Sequence, residues 1–469
     1  MKIYNDVFKV GVGGKYFGTD GFRGEPNVSL TSMHAYKIGR FLGWFYSHDA
    51  NENERPRILI GKDTRQSGYM LEYAIAAGIT ASGSDVYLMH VTTTPSISYI
   101  CKGNNFDCGV MITASHNPFY DNGIKIINSS GEKLEEKTTA LIEAYLDGNS
   151  AVLGFEKEIP YATGKNIGRI YDYSIGRDQY TEHLASLVHH SLEDLKIGLD
   201  CANGSAYKIA EKVFRELGAH IFIISNSPSG TNINEGCGST QIEKLRNLVI
   251  KEHLDVGFAF DGDADRCIAV DSKGVIVDGD KMLYILSSRF KRKEILSENT
   301  VAVTIMSNMG LIKALKSQGI DASITPVGDK YVYRCMNENG YQLGGEQSGH
   351  IIMKPYSVSG DGILTALIVA DEMIERKAPL SDLCTEVKLF PQTTVNIKVK
   401  SKLEVMDDEE IADMILTYNK ELSTEGRIIF RASGTEDLIR LSVEAREKDI
   451  CQKYIDLISN ILKEKGYLL

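Results

Sequence analysis

The sequence lacks the motifs that mark nucleotide-binding, zinc-binding and disulfide-stabilised proteins. It contains no G-x-x-x-x-G-K-[ST] phosphate loop, and its glycine-rich start, "GVGGKYFG", has Tyr16 where a dinucleotide fingerprint requires its last glycine. Its eight cysteines include no Cys-x-x-Cys pair, so we expect reduced, mostly buried thiols and no zinc site. These absences argue against nucleotide cofactors and against a fold held by zinc or disulfides.

The chain also lacks an excess of positive charge and any long apolar run. Its formal net charge is −11, whereas a general nucleic-acid binder needs a basic surface to displace cations from phosphates. The strongest apolar run, "ILTALIVA" at 363–370, is too short to span a bilayer, and the N-terminus lacks the apolar core and cleavage site of a secretory signal. We therefore expect a cytoplasmic protein with no nucleic-acid partner and no membrane contact. A monomer or homodimer is expected, although neither observation bears on the oligomeric state.

What the chain does contain is a pattern that recurs three times. Each copy has an apolar strand-like run, a polar turn, an amphipathic helical stretch, a glycine and a second apolar run; the copies are residues 57–89, 196–225 and 301–327. The glycines that follow the helical stretches are Gly83, Gly218 and Gly319, where a left-handed conformation costs little without a β-carbon. A strand, a crossover helix and a strand in this order predict a βαβ unit and hence a mainly parallel sheet.

With 469 residues, the chain is too long for a single core. We predict an α/β protein with three similar α/β domains of mixed, mainly parallel sheets, plus a smaller C-terminal α+β domain, around a central cleft. The alternative, one very large sheet, would leave the long intervening segments without a core. The predicted domains are residues 1–166, 167–272, 273–388 and 389–469.

The clearest chemical motif is "FAFDGDADRCIAV", residues 258–270, in which Asp261, Asp263 and Asp265 alternate with small residues. Three carboxylates at this spacing can be aimed at one point, where a divalent cation would relieve their mutual repulsion. The alternative is an acidic surface loop, but the apolar runs on both sides place this loop at the edge of a core. Because all the ligand atoms are oxygens, the favoured ion is Mg²⁺.

Four further loops combine polar and small residues, and each also has an ordinary structural interpretation. "RASGTEDLIR" at 431–440 could surround a phosphate or simply be a helix-capping turn, and "GGEQSGH" at 344–350 could bind a polyhydroxylated ligand or be a polar hairpin. "FGTDGFRG" at 17–24 would hold Arg23 near an anion. "VMITASHNPFYDNGIK" at 110–125 presents Ser115 after a strand-like run, as a catalytic loop or as an ordinary turn.

Together, these five motifs in this order resemble the α-D-phosphohexomutase family over nearly the whole chain. "YFGTDGFRG", "GGEQSGHII", "SGDGILTAL" and "RASGTEDLIRLSVEA" are most similar to the branch that acts on glucosamine phosphates. Five positions depart from that branch, namely Phe22, Ala264, Lys330, Ala432 and Asp437, and the alanine at 264 is shared with mannose and glucose mutases. Gln347 favours glucosamine.

The resemblance implies an isomerase that interconverts glucosamine 6-phosphate and glucosamine 1-phosphate through a phosphoserine and a 1,6-bisphosphate. A mannose or glucose phosphate mutase, and less plausibly a metal-dependent sugar phosphatase, are the alternatives. The implied cofactor is Mg²⁺, and the implied activator is glucosamine 1,6-bisphosphate or glucose 1,6-bisphosphate. The implied partner is a small phosphosugar substrate.

The resemblance also implies a role for each motif residue. Ser115 would carry the phosphoryl group and, with Asp261, Asp263 and Asp265, would bind the metal. The other implied catalytic residues are Arg23, Lys125 and His116. The implied substrate-binding residues are Glu346, Ser348 and His350 for the sugar, and Arg431, Ser433, Gly434 and Thr435 for the phosphate that is not transferred.

Overall fold

Four separate β-sheets organise the part of the chain that the computed structural model describes, which is residues 14–18, 20–48, 55–155, 158–433 and 438–469. The sheets have seven, five, four and three strands and follow one another along the chain. The alternative of one very large sheet is therefore wrong.

The first sheet has seven strands in the order β1-β2-β6-β5-β3-β4-β7. The strands are β1 (Phe17–Gly18), β2 (Gly21–Gly24), β3 (Arg57–Lys62), β4 (Asp85–Val91), β5 (Cys108–Ile112), β6 (Asn122–Asn128) and β7 (Ile170–Asp172). Its helices are α1 (Ser32–His48), α2 (Ser67–Ala81), α3 (Thr94–Gly103) and α4 (Glu136–Leu146). The last strand lies beyond residue 166, so the first sheet includes residues from the segment assigned above to the second domain.

The second sheet has the order β12-β11-β10-β8-β9, and the third has the order β14-β13-β15-β16. Elements of the second domain are α5 (Ile175–Ser186), β8 (Lys196–Asp200), α6 (Ala206–Glu216), β9 (His220–Ile224), α7 (Glu243–Lys251), β10 (Val256–Phe260), β11 (Cys267–Asp271) and β12 (Ile276–Val277). Elements of the third are α8 (Gly279–Arg292), β13 (Thr300–Thr304), α9 (Met309–Ser317), β14 (Asp321–Thr325), α10 (Asp329–Asn339), β15 (Leu343–Gly345), β16 (Ile351–Met353), α11 (Gly362–Arg376) and α12 (Leu380–Leu383).

The fourth sheet is antiparallel, with the order β17-β19-β18. Its domain contains β17 (Gln392–Lys398), α13 (Lys402–Asp407), α14 (Glu409–Leu422), β18 (Gly426–Ala432), β19 (Leu438–Ala445) and α15 (Lys448–Glu464). The predicted alternation of strands and helices in a smaller α+β domain is confirmed.

The three sequence repeats form three parallel strand pairs. In each repeat the two strands that flank a helix pair directly, as β3 with β4, β8 with β9, and β13 with β14. The glycines after the helices have positive φ angles of 98° at Gly83, 90° at Gly218 and 67° at Gly319, as predicted. Helix α6 illustrates how the amphipathic pattern packs a helix against its sheet. Four of its apolar residues face the core, namely Ile209, Ala210, Val213 and Phe214.

The second and third domains share one large hydrophobic core, and each also has a smaller cluster of its own, whereas the fourth domain has one cluster and the first has two. The shared core runs from Tyr180 to Val387. It is continuous because α11 of the third domain packs against α8 and also against β10 and β11 of the second. All eight cysteines are free, and all except Cys335 are buried, as predicted. No helix in the described ranges combines the length and apolarity needed to cross a bilayer.

Candidate active site

The loop between β5 and β6, residues 113–121, is the serine loop, and it places Ser115 against the acidic motif of the second domain. Ser115 is fully buried, and its hydroxyl donates a hydrogen bond of 2.6 Å to Asp261 Oδ2. Its backbone is left-handed, with φ of 52°, which is uncommon for a residue with a β-carbon. The Thr113 hydroxyl accepts from the Ser115 amide at 2.9 Å. The structure thus brings together the serine and the aspartates that were singled out in separate parts of the sequence.

The three aspartates lie on the turn between β10 and β11, and one carboxylate oxygen from each lies within 4.8 Å of the others. All three are buried. Asp263 Oδ1 and Asp265 Oδ1 are enclosed oxygens that accept no hydrogen bond from any described residue. Burial, and then the nearby Asp265 and Asp263, raise the pKa of Asp261 well above its usual value. An all-oxygen cluster whose carboxylates converge, and which includes these two oxygens without a hydrogen bond, fits a divalent cation such as Mg²⁺.

Lys125 on β6 supplies positive charge to the same cluster. Its Nζ lies 2.8 Å from Asp263 Oδ2 and 3.1 Å from Asp265 Oδ2. Burial would lower the pKa of Lys125, but Asp20, Asp263 and Asp265 raise it well above its usual value, so the ammonium stays charged. Lys125 in turn affects the pKa of Asp265. Burial would raise the pKa of Asp265, but the positive charge of Lys125 holds that pKa well below its usual range.

Arg23 on β2 contacts the serine loop, and His116 lies on that loop directly after Ser115. Arg23 donates to Asn117 Oδ1 at 3.4 Å and forms an ion pair with Asp20. The His116 Nδ1 lies 3.3 Å from the Ser115 Oγ and 3.2 Å from an Arg266 guanidinium nitrogen. Burial, followed by Arg266 and Arg23, lowers the pKa of His116 to about 4, so the ring is neutral at pH 7.

The loop that contains residues 344–350 extends from the third domain towards the aspartates. Glu346 Oε1 accepts from the Gly328 amide at 3.1 Å, and the Ser348 hydroxyl donates to Glu346 Oε2 at 3.3 Å. His350 lies between two carboxylates, with Nδ1 3.7 Å from Asp265 and Nε2 3.6 Å from Asp329. Burial would lower the pKa of His350, but Asp265 and then Asp329 raise it to about 9.

The fourth domain contributes two arginines that face each other. Arg431 on β18 is paired in register with Arg440 on β19, and Arg440 Nε is buried and donates to no described residue. Burial and the neighbouring Arg440 lower the pKa of Arg431. Ser433 is buried, and its amide donates to the Leu438 carbonyl at 2.9 Å. Gly434 and Thr435 lie outside the described residues. Two facing guanidinium groups with an unpaired donor fit an anion such as phosphate.

Three charged residues of the site were not identified in the sequence. Asp20 receives hydrogen bonds from Arg23 and Lys133 and lies 3.4 Å from Lys125, Arg266 contacts His116, and Arg440 faces Arg431. Each of the three lies inside a motif that the sequence analysis quoted. Their closeness in sequence to the predicted site residues was therefore the only indication that they belong to the site. Their pairing across strands and domains became visible only with the fold.

Comparison with protein-family models gives one match for each domain. The models describe phosphoglucomutase/phosphomannomutase α/β/α domains I, II and III and the C-terminal domain; they match residues 14–152, 178–274, 278–390 and 395–461, respectively.

Curated relatives match over nearly their full length. The chain is 53% identical to a phosphoglucosamine mutase of Lachnospira eligens, over 97% of this chain and 99% of the relative. It is 45% identical to a phosphoglucosamine mutase of Bacillus cytotoxicus, over 96% of this chain and 98% of the relative.

Solved structures share the fold at lower identity. A phosphoglucomutase/phosphomannomutase family protein of Burkholderia thailandensis has a TM-score of 0.78 and 22% identity, with 96% of this chain and 97% of that one covered. Aspergillus fumigatus N-acetylphosphoglucosamine mutase, solved with GlcNAc-6P and magnesium, has a TM-score of 0.64 and 17% identity, with 96% of each chain covered. The predicted architecture and family are confirmed: the chain belongs to the α-D-phosphohexomutase family, within which it is most similar to phosphoglucosamine mutases.

Proposed function

We propose that this enzyme interconverts glucosamine 6-phosphate and glucosamine 1-phosphate through a phosphoryl group on Ser115. The observation that carries the proposal is the 2.6 Å contact between the Ser115 hydroxyl and a buried cluster of three carboxylates, in a chain 53% identical to a phosphoglucosamine mutase. A hydroxyl aimed at a cation-binding cluster suits phosphoryl transfer, in which the protein mainly positions groups and stabilises charge.

The residues that would hold Mg²⁺ are Asp261, Asp263 and Asp265, with an oxygen of the phosphorylated Ser115. When bound, the ion would withdraw charge from the phosphoryl group during transfer. Lys125 and Arg23 would stabilise the same oxygens, because both are already held beside the serine loop and the carboxylates. His116, whose ring nitrogen lies 3.3 Å from the serine oxygen and 3.2 Å from Arg266, would contact the transferred group at that oxygen.

The first transfer would move the phosphoryl group from Ser115 to the C1 hydroxyl of glucosamine 6-phosphate. The serine oxygen regains a proton as the sugar hydroxyl loses one, and the product is glucosamine 1,6-bisphosphate. After the bisphosphate turns around, its C6 phosphoryl group would return to Ser115 and leave glucosamine 1-phosphate. A serine that has lost its phosphoryl group would be reloaded by glucosamine 1,6-bisphosphate or glucose 1,6-bisphosphate as activator.

The loops at residues 344–350 and 431–440 would hold the parts of the substrate that do not react. Glu346, Ser348 and His350 would bind the sugar ring. Arg431, Ser433, Gly434 and Thr435 would bind the second phosphate, and Arg440 joins this group because its unpaired nitrogen lies beside Arg431. A second phosphate site supports a mutase over a sugar phosphatase, which needs to bind only the phosphate that it hydrolyses.

The sugar preference is tested by comparing substrates on the phosphorylated enzyme. We expect glucosamine 6-phosphate to have a kcat/KM at least about tenfold above those of mannose 1-phosphate and glucose 1-phosphate, a difference of about 1.4 kcal/mol in transition-state binding. Coupled assays of each product, with the 1,6-bisphosphate added, measure this ratio. A higher kcat/KM for a mannose or glucose phosphate would favour the alternative mutases, and release of inorganic phosphate alone would favour the phosphatase.

Gly262 provides a test of the contact between the serine loop and the aspartate loop. A β-carbon at this position would lie 2.5 Å from the Ser115 carbonyl oxygen and 2.8 Å from Ile233 Cδ1. Gly262→Ala must therefore push the two loops apart, and we expect kcat to fall roughly tenfold or more. Gly103→Ala, at a position with open space for a methyl group, is the matched control. Equal kcat values for the two variants would contradict the proposed arrangement.

We also propose that the enzyme is cytoplasmic and acts as a monomer or homodimer, and similarity to phosphoglucosamine mutases supports a small phosphosugar as its substrate. Composition and charge support the absence of a nucleic-acid or membrane partner.

A further inference from the structure

Arg65, at the end of the loop that follows β3, is fully buried beneath the serine loop. Its Nε donates to Asp63 Oδ2 at 2.9 Å. One terminal nitrogen donates to the carbonyls of Pro118 and Asp121, and the other donates to the carbonyls of Ser115 and Asn117 at 3.0 and 2.8 Å. All five guanidinium hydrogens are thus satisfied, and four of them are used on the backbone of one loop.

Asn234 of the second domain contacts two of the same carbonyls. Its Nδ2 donates to the Ser115 carbonyl at 2.9 Å and to the Asn117 carbonyl at 3.0 Å. Asn234 is 7% exposed. Its backbone amide donates to the Ala202 carbonyl, and this bond anchors Asn234 to the second domain. The Ser115 carbonyl therefore receives one hydrogen bond from each of two domains.

These bonds act on a backbone segment that is not in a preferred conformation. Ser115 has a positive φ of 52°, and relaxation of that angle would rotate the side chain away from Asp261. With its carbonyl held at two points, the peptide that follows Ser115 cannot rotate without breaking buried hydrogen bonds. Asp63 Oδ2 also accepts from the Thr113 hydroxyl at 2.7 Å, and Thr113 in turn accepts from the Ser115 amide. Hydrogen bonds therefore hold both the amide and the carbonyl of Ser115 in place.

We propose that Arg65 and Asn234 are positioning residues that hold the Ser115 backbone so that its hydroxyl points at the aspartate cluster, and that Asn234 makes this alignment depend on contact between the first and second domains. The inference rests on the proposed function of Ser115. Neither side chain touches the reacting atoms, so their loss should slow phosphoryl transfer without weakening the binding of sugar phosphate.

The decisive variant is Asn234→Asp, which keeps the shape, tolerates the residue's φ of 59° and removes both donors. Asn232→Asp is the matched control, because it makes the same charge change two residues away, where the asparagine bonds to Ser227, Ser229 and Asn203 of its own domain. Enzyme that carries an isotope-labelled phosphoryl group is mixed with unlabelled glucosamine 6-phosphate, and loss of the label from the protein is followed in a single turnover, because the phosphoryl group that returns to Ser115 from C6 is unlabelled.

We expect Asn234→Asp to transfer roughly 10- to 100-fold more slowly than Asn232→Asp, since small displacements of a reacting group have effects of this size. KM should change by less than about twofold. The melting temperature of Asn234→Asp should fall, because two buried hydrogen bonds are lost, but substrate binding should not fall with it. Equal transfer rates would overturn the inference, as would a parallel loss of rate, substrate binding and thermal stability. Failure of the unsubstituted enzyme to transfer its phosphoryl group would instead contradict the proposed function.

Arg65→Lys gives a second test. Lysine keeps the charge beside Asp63 but has three donors in place of a planar set of five. We expect a slower transfer than in Asn234→Asp, again with KM nearly unchanged. Full transfer activity in Arg65→Lys would overturn the role of Arg65, and if this variant does not fold, the Asn234→Asp comparison decides the inference alone.

Discussion

Replacement of Ser115 by alanine should lower mutase turnover by roughly a thousandfold or more, even when the 1,6-bisphosphate is supplied. The reason is that the Ser115 hydroxyl contacts the aspartate cluster directly and, in the proposed mechanism, is the group that carries the phosphoryl group. Loss of a covalent nucleophile removes the whole two-step route, so large effects are expected. Turnover is measured with glucosamine 6-phosphate, and intact mass should show one phosphoryl group on the unsubstituted enzyme and none on the variant.

The control for this prediction is Ser130→Ala, which removes an exposed hydroxyl from the same domain. It should retain both turnover and the phosphoryl group. Full turnover of Ser115→Ala after activation by the bisphosphate would mean that the reaction does not pass through this serine.

Removal of divalent cations should abolish activity, and addition of Mg²⁺ should restore it. Asp261, Asp263 and Asp265 are buried together, and two of their oxygens have no hydrogen bond from any described residue. Without a cation, the cluster adds negative charge where a phosphoryl group must pass, so the charges repel. Asp265→Asn should raise the Mg²⁺ concentration needed for half-maximal activity at least about tenfold. Activity is recorded against Mg²⁺ after chelation.

A second acidic cluster gives the matched control for the metal experiment. His190, Asp371 and Glu375 also lie close together, but Arg289 forms ion pairs with both carboxylates and Lys293 forms a second one with Glu375, so two positive charges balance the two negative ones. Glu375→Gln should therefore leave the Mg²⁺ dependence unchanged. Persistent turnover after complete chelation, or an equal shift in the two variants, would exclude the proposed metal site.

The repeating part of the fold could be predicted from the sequence because each βαβ unit is encoded locally. The hydrophobic face of α6 and the glycine that follows it at 218 are visible within some 25 residues. The shared core of the second and third domains could not be predicted in this way. It depends on α11, which packs against β10 and β11 about a hundred residues earlier in the chain, and local periodicity does not specify such a partner.

The residues of the candidate site also fall into two groups, those that the sequence could identify and those that only the fold could identify. The aspartates were identified because their residue types and spacing are unusual, and Ser115 was identified because its motif resembles that of a known family. Arg65 and Asn234 were not, because they act on backbone carbonyls, which every residue possesses. Arg440 was inside a quoted motif, but its significance depends on strand register, which places it opposite Arg431.

The common interior of the second and third domains links the aspartate turn to the loop that contains residues 344–350. Helix α11 packs against α8 of its own domain and against β10 and β11 of the second domain, the two strands that flank the aspartates. Because a close-packed interior transmits displacements, a substitution that disturbs this shared packing would shift both loops at once.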